Sequence, residues 1–244
     1  MSASSVAARL LLTTSLCLAA SALWLAPAKA QFVCVGSATG AAPVDAAGAL
    51  ATGSPDNFAC GQRSDARGSN STNSAVGPGS GAYGDFSSNS ANGPGAKAFG
   101  NGTSPTARAG NTATGSGSDA HGDRSHNVAN GDSSDGAGDD SANIAIGWNA
   151  QGDGDRSANV ASGNGTRATG DDSFNVAIGN GADSNGNFSR NVANGNLAQA
   201  DGNGSSNVAT GDSADSSGHN SANFAVWCPK LQWRPRHQRR CPRQ

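Results

Sequence analysis

From Asn57 to Val226 the polar and apolar positions recur at a fixed spacing around the five-residue unit Asn-x-Ala-x-Gly. The Asn stands at 57, 73, 89, 111, 127, 143, 159, 175, 191, 207 and 223, so neighbouring copies lie sixteen residues apart except for one interval of twenty-two. Ten of the eleven copies close on Gly, and in those ten a second Gly follows seven residues later. In Asn175-Val176-Ala177-Ile178-Gly179 the two larger apolar residues alternate with Ala177. That is the period of two of a short strand, in which successive side chains point to opposite faces. The seventh and ninth residues after each Asn from 57 to 207 are Ser, Thr, Ala or Gly, as in Thr166 with Ala168 and Ala198 with Ala200, so only small groups fit there. Each repeat therefore predicts a strand, a Gly corner, a second short strand and another Gly corner.

A fixed period of this size implies stacked structural units, none of which buries its apolar face alone. Helical repeats are excluded on propensity, because Gly and Asn dominate and Leu, Met, Glu and Lys are nearly absent. The expected fold is all-β: a parallel β-roll, or solenoid, of about ten sixteen-residue coils. Parallel stacking at about 4.8 Å per coil would give roughly 50 Å of length. The repeat positions that carry this expectation are Asn127, Ala129 and Gly131; Asn143, Ala145 and Gly147; Asn159, Ala161 and Gly163; Asn175, Ala177 and Gly179; Asn191, Ala193 and Gly195; and Asn207, Ala209 and Gly211. Each coil offers only one or two Val, Ile or Phe. Burying one contributes about 1.5–3 kcal/mol, whereas ordering each residue costs about 1.5 kcal/mol. A lone coil is thus in deficit, and lengthwise association of identical chains would help to close it.

Charge adds little to this picture. Between 57 and 226 there are sixteen Asp, eight Arg or Lys and no Glu, a mildly acidic surface. Many of the Asp lie in the turns after a Gly, as do Asp132, Asp153, Asp155, Asp171 and Asp172. Asp in such turns either satisfies turn backbone or binds calcium, as in nonapeptide rolls. Calcium rolls need a nine-residue period with Asp at one fixed place; here the period is sixteen and the Asp positions vary, which favours the turn role. His121 and His126 lie near Asp119 and Asp123 but lack Cys or Glu at ligand spacing, so exposed turn residues are expected there and no metal or cofactor. No His recurs beside a Ser or Cys, and an enzyme is not expected.

The flanks differ from the repeat. Residues 1–30 combine Arg9, an apolar run over about 10–25 and Ala28-Lys29-Ala30, the marks of a secretory signal peptide, so the chain is expected to be exported with no membrane span in its mature part. Residues 31–56 form an imperfect entry or cap, in which Phe32-Val33-Cys34-Val35-Gly36 echoes Asn57-Phe58-Ala59-Cys60-Gly61. In an oxidising compartment Cys34 and Cys60 form a disulfide or stay as two thiols; the count alone leaves both open. Residues 227–244 abandon the repeat for Arg, Pro, Gln and Trp. Both Trp227 and Trp233 become Gly when read one nucleotide later, so this basic tail is read as a frameshifted end in preference to a nucleic-acid arm.

Stretches such as Ser141-Ala142-Asn143-Ile144-Ala145-Ile146-Gly147 and Asp172-Ser173-Phe174-Asn175-Val176-Ala177-Ile178-Gly179, with Ala198-Gln199-Ala200-Asp201-Gly202, resemble the YadA-like head repeats of trimeric autotransporter adhesins. The resemblance covers residues 57–226. It implies a left-handed roll, a homotrimer, display at the bacterial cell surface or outer membrane, and a non-enzymatic head that binds extracellular matrix or cell-surface ligands. The neck, heptad stalk and four-strand anchor of that family have no counterpart in this sequence. Polar residues also replace apolar ones at Ser74, Ser90, Asn92, Thr112, Asn130 and Asn194. Three other readings remain: a passive structural solenoid, against which the outward residues vary between copies; a disordered Gly/Asn/Ser-rich polymer, which has no physical need to hold Gly in strict register; and the truncated remnant of an adhesin, to which a frameshifted tail would reduce the chain.

Overall fold

A computed structural model describes residues 34–36 and 48–226, all within one compact unit. Residues 1–30, where a signal peptide is expected, the tail at 227–244 and part of the entry segment lie outside the described residues. The described chain is a parallel β-solenoid of about eleven coils with no helix. Its two sheets contain twelve and nine strands, most of them three residues long. Each coil places its Asn-x-Ala-x-Gly strand in the larger sheet and its second strand in the smaller one. Neighbouring strands pair in parallel one repeat apart, as in Val128↔Ile144, Ala129↔Ala145 and Asn130↔Ile146.

The alternation left open which face of the strand is inside. The Ala column is inside: Ala129, Ala145, Ala161, Ala177, Ala193 and Ala209 are all 0% exposed, while Ile146 and Ile178 are 44% and 43% exposed. The two sheets lie too close for a branched apolar side chain to fit between them. A Cβ added at Gly152 on the smaller sheet would stand 2.6 Å from the Ile144 carbonyl oxygen on the larger one. The core is therefore made of Ala, Ser, Thr and Asn. The Val and Ile residues from which a hydrophobic core was expected stand outside it.

Glycine is required at the corners because successive coils touch there through their backbones. At Gly131 φ is 146°, and a Cβ would lie 2.1 Å from the Gly147 carbonyl oxygen. Each coil also turns through left-handed residues that are often not Gly, among them Asp140 (φ 52°), Phe188 (φ 54°) and Leu197 (φ 53°).

The twenty-two-residue interval leaves the stack intact. Ser90 still pairs with Thr112, and the extra residues leave from one corner, closed by a bond from Thr103 N–H to the Ala107 carbonyl (2.9 Å). At the N-terminal end the echo of the repeat does not continue the stack. Strand Cys34–Gly36 runs antiparallel to Phe58–Cys60, and Cys34 and Cys60 are joined by a disulfide. A reversed strand closes the sheet edge without starting another coil.

Candidate binding surface

Every repeat Asn from 57 to 207 is at most 1% exposed, and all but Asn89, which lacks a Ser hydroxyl partner, are held the same way. Asn143 is representative. Its Oδ1 accepts the backbone N–H of Asn159 (2.9 Å) and lies 2.9 Å from the Ser157 hydroxyl, while its Nδ2 donates to the carbonyls of Ala137 (2.6 Å) and Gly154 (2.7 Å). Both donors and both acceptor sites of the amide are used. The sequence-selected Asn, Ala and Gly positions thus build the scaffold, and a ligand must meet the variable residues between them.

Three surfaces carry such residues. On the outer face of the twelve-stranded sheet, the position after each Asn forms a row in which Val128, Ile144, Val160, Val176, Val192 and Val208 occupy successive coils, all half-buried. Phe224 ends the row at 63% exposed. The earlier coils carry Phe58, Ser74, Ser90 and Thr112 there, so the continuous apolar row belongs to the second half of the stack.

The outer face of the nine-stranded sheet is acidic. Asp119 and Asp135 stand in register on adjacent strands, and the backbone N–H of Ala137 donates to Asp153 Oδ1 (3.2 Å). Burial, and then the neighbouring Asp135 carboxylate, push the Asp153 pKa up to about 6. Burial, followed by Asp119, also raises Asp135, whose Oδ1 is buried without a hydrogen-bond partner. His121 Nδ1 lies 3.1 Å from Asp119 Oδ1, a contact that raises the His pKa, and its ring stacks on Phe99 at a centroid distance of 5.0 Å. Among the described residues no group of three or more His, Cys, Asp or Glu is arranged to hold a metal ion.

The third surface is a corner groove beside this sheet, with a volume of about 520 Å³. Its floor is the Gly column that includes Gly84, Gly100 and Gly122; Tyr83, Phe99 and His121 form one wall and Asp85, Asn101 and Asp123 the other. The second wall corrects the expectation that Asp positions vary. Twelve residues after the repeat Asn, eight successive coils carry Asp or Asn, from Asp85 to Asn203. Asp85, Asp123, Asp139, Asp155 and Asp171 each offer Oδ1 to a backbone N–H of the preceding coil, as in Asp123 N–H to Asp139 Oδ1 at 2.7 Å. These residues do satisfy turn backbone, but the neighbouring coil's and not their own. Aligning the copies at that offset would have revealed the column.

No protein-family model matches the chain, and no curated protein matches it. The surfaces themselves therefore carry the functional argument.

Proposed function

We propose that this chain is the head of a bacterial surface adhesin: a non-enzymatic binding module, exported and assembled as a homotrimer of left-handed rolls, that engages extracellular matrix or cell-surface ligands. The observation that carries the reading is the row Val128 to Val208 on the outer face of the twelve-stranded sheet. Six β-branched side chains in successive coils, with Ile146 and Ile178 beside them, form an apolar strip on a scaffold whose interior is already filled. Such strips mark protein–protein contacts, and burying this one between copies supplies apolar area that the Ala and Asn core lacks. The resemblance to YadA-like heads points the same way. The Cys34–Cys60 disulfide suits an oxidising compartment outside the cytoplasm. With the core built from invariant small residues, the outward positions are free to vary and to bind.

Light scattering behind a sizing column gives the mass of the purified chain, and far-ultraviolet circular dichroism of the same peak gives its β-content. A β-rich trimer is expected, as is its loss to monomer in the double variant Val160→Asp, Val176→Asp. A folded monomer in the unmutated chain sinks the trimeric reading. Failure of a confirmed trimer to bind immobilised matrix proteins or cells sinks the adhesive one.

A further inference from the structure

We propose that the glycine-floored corner groove is a binding site for an extended segment of a partner protein that bears arginine side chains at alternate positions. The inference does not depend on the adhesin reading, since it uses only the groove's own residues.

Three observations lead to it. First, the carboxylates along one wall are half used. Asp123, Asp139 and Asp155 each spend Oδ1 on the backbone of the preceding coil, and their Oδ2 atoms have no hydrogen bond or ion pair among the described residues. The neighbouring cations are committed elsewhere: Arg124 pairs with Asp140, Arg156 with Asp172 and Arg67 with Asp65. The groove therefore presents fixed negative charge with outward acceptors and attracts cations.

Second, the wall opposite Asp85, Asn101 and Asp123 carries the rings of Tyr83, Phe99 and His121, with Ala137 and Asp153 following opposite Asp139 and Asp155, and the chain itself shows what the ring end takes. The Arg67 guanidinium lies over the Tyr83 ring, 5.8 Å from its centroid, at one end of the groove. A planar guanidinium both stacks on a ring and forks onto a carboxylate, whereas an ammonium does only part of this. Where a ring and a carboxylate face each other across the backbone floor, as Tyr83 and Asp85 do and His121 and Asp123 do, arginine is suited better than lysine.

Third, the dimensions fit a linear occupant. A second cavity of about 300 Å³ shares His121 and Asp139 with the first and reaches Asp155, so the groove runs along the stack. Asp85 and Asp155 are four coils apart, roughly 19 Å at about 4.8 Å per coil. An extended segment of about six residues spans that length, with same-side residues about 6.7 Å apart. Three alternate arginines then lie within reach of the successive carboxylates.

The column supplies its own control, because Asn101, Asn187 and Asn203 stand where Asp stands in other coils and Asn101 keeps the same bond to backbone through Oδ1 (2.9 Å to the Asp85 N–H). The triple variant Asp123→Asn, Asp139→Asn, Asp155→Asn thus removes charge and keeps the ladder. Fluorescence anisotropy of a labelled Arg-Gly-Arg-Gly-Arg peptide against the full-length chain is expected to show saturable binding that weakens at least tenfold in the triple variant. The variant's circular dichroism and melting temperature should be unchanged. Tyr83→Ser with Phe99→Ser should weaken binding severalfold, and Glu-Gly-Glu-Gly-Glu should not bind. Equal binding by the triple variant overturns the proposal. So does binding that appears only after Arg234, Arg236, Arg239 and Arg240 are replaced by Ser, because the chain's own tail would then be the occupant.

Discussion

The side chain of Asn127 accepts the backbone N–H of Asn143 at 2.8 Å, and Asn143 does the same for Asn159. Ten such contacts run from Asn57 to Asn223. The interior is thus bonded along the stack by side chains as well as by strand pairing. This explains how a core of Ala and Ser holds: the largest buried side chains are amides with every polar atom used. Their burial carries little hydrophobic gain, but leaving any of these groups unpaired is costly.

The ladder predicts an unusual response to Asn143→Asp. Nδ2 now donates to the Ala137 and Gly154 carbonyls; a carboxylate would set negative charge against both. Each carbonyl keeps one other donor, the Gly154 N–H on Ala137 and the Ser157 hydroxyl on Gly154, so the cost lies in the buried charge that faces them. The introduced acid should titrate well above the ordinary carboxylate range when folded, so its penalty grows as pH rises through that raised pKa and is least in acid. Thermal melts should show a larger loss at pH 8 than at pH 4.5. A loss independent of pH would mean that the Asn is only a space filler.

The native acidic patch gives a second pH signature. Asp153, with its pKa pushed up to about 6 chiefly by burial and next by Asp135, binds a proton more readily in the folded chain than in the unfolded one. Stability should therefore fall as pH rises between about 4, the unfolded value, and about 6. His121, raised by its contact with Asp119, moves stability in the same direction: its contribution is present in acid and lost as pH rises through its raised pKa. Asp153→Asn should raise the melting temperature at pH 7.5 and leave it nearly unchanged at pH 4.5. An equal shift at both pH values would show that Asp153 is not the responsible group.

The sixteen-residue period and the Gly offsets made the solenoid legible, because those positions are fixed by backbone contact between coils. The inside of the coil was harder to read. Ala177 and Val176 alternate in either orientation, and ordinary hydrophobic reasoning turns Val inward; the narrow gap between sheets, which no periodicity reports, turns Ala inward instead. Asn175 marked the repeat by its spacing, but its place as a buried ladder rung depends on the Asn one coil away. The Asp column escaped notice because its members include Asn101, Asn187 and Asn203, which share its geometry but not its charge. The groove was illegible for a related reason: Phe99 and Asp123 lie in different repeats and meet only when the coils stack.

Backbone conformation at the corners predicts opposite outcomes for two substitutions two residues apart. Leu197 holds φ at 53° with its side chain 59% exposed, a left-handed conformation that costs a non-glycine residue about 1–2 kcal/mol. Leu197→Gly should therefore be neutral to stabilising by up to about 1 kcal/mol, after the extra entropy of an unfolded Gly. Gly195→Ala should destabilise strongly, since its Cβ would stand 2.2 Å from the Gly211 carbonyl oxygen. Chemical denaturation of the two variants measures both, and a stabilising Gly195→Ala would refute the close approach of the coils.

The six extra residues of the long interval should be dispensable. Deleting 103–108 joins Gly102 to Ala109 and restores the sixteen-residue spacing between Asn89 and Asn111. The segment contributes one hydrogen bond to the stack, from Arg108 Nη2 to the Ser87 carbonyl (2.8 Å), and that carbonyl also accepts the Thr72 N–H (2.9 Å). The same arginine buries an unpartnered Nε, a cost that the deletion removes. The deleted chain is expected to melt at the same temperature or higher, with unchanged circular dichroism. One rung remains incomplete: Asn89 Oδ1 accepts the Asn111 N–H (3.0 Å), but Ala109 stands where other coils place a Ser hydroxyl, as Ser125 does against Asn111 Oδ1 (2.9 Å). Adding Ala109→Ser to the deletion should contribute about 1 kcal/mol more. Unfolding of the deleted chain would show that the segment is needed to turn this corner, and that the equal spacing of the other coils is not what keeps them in register.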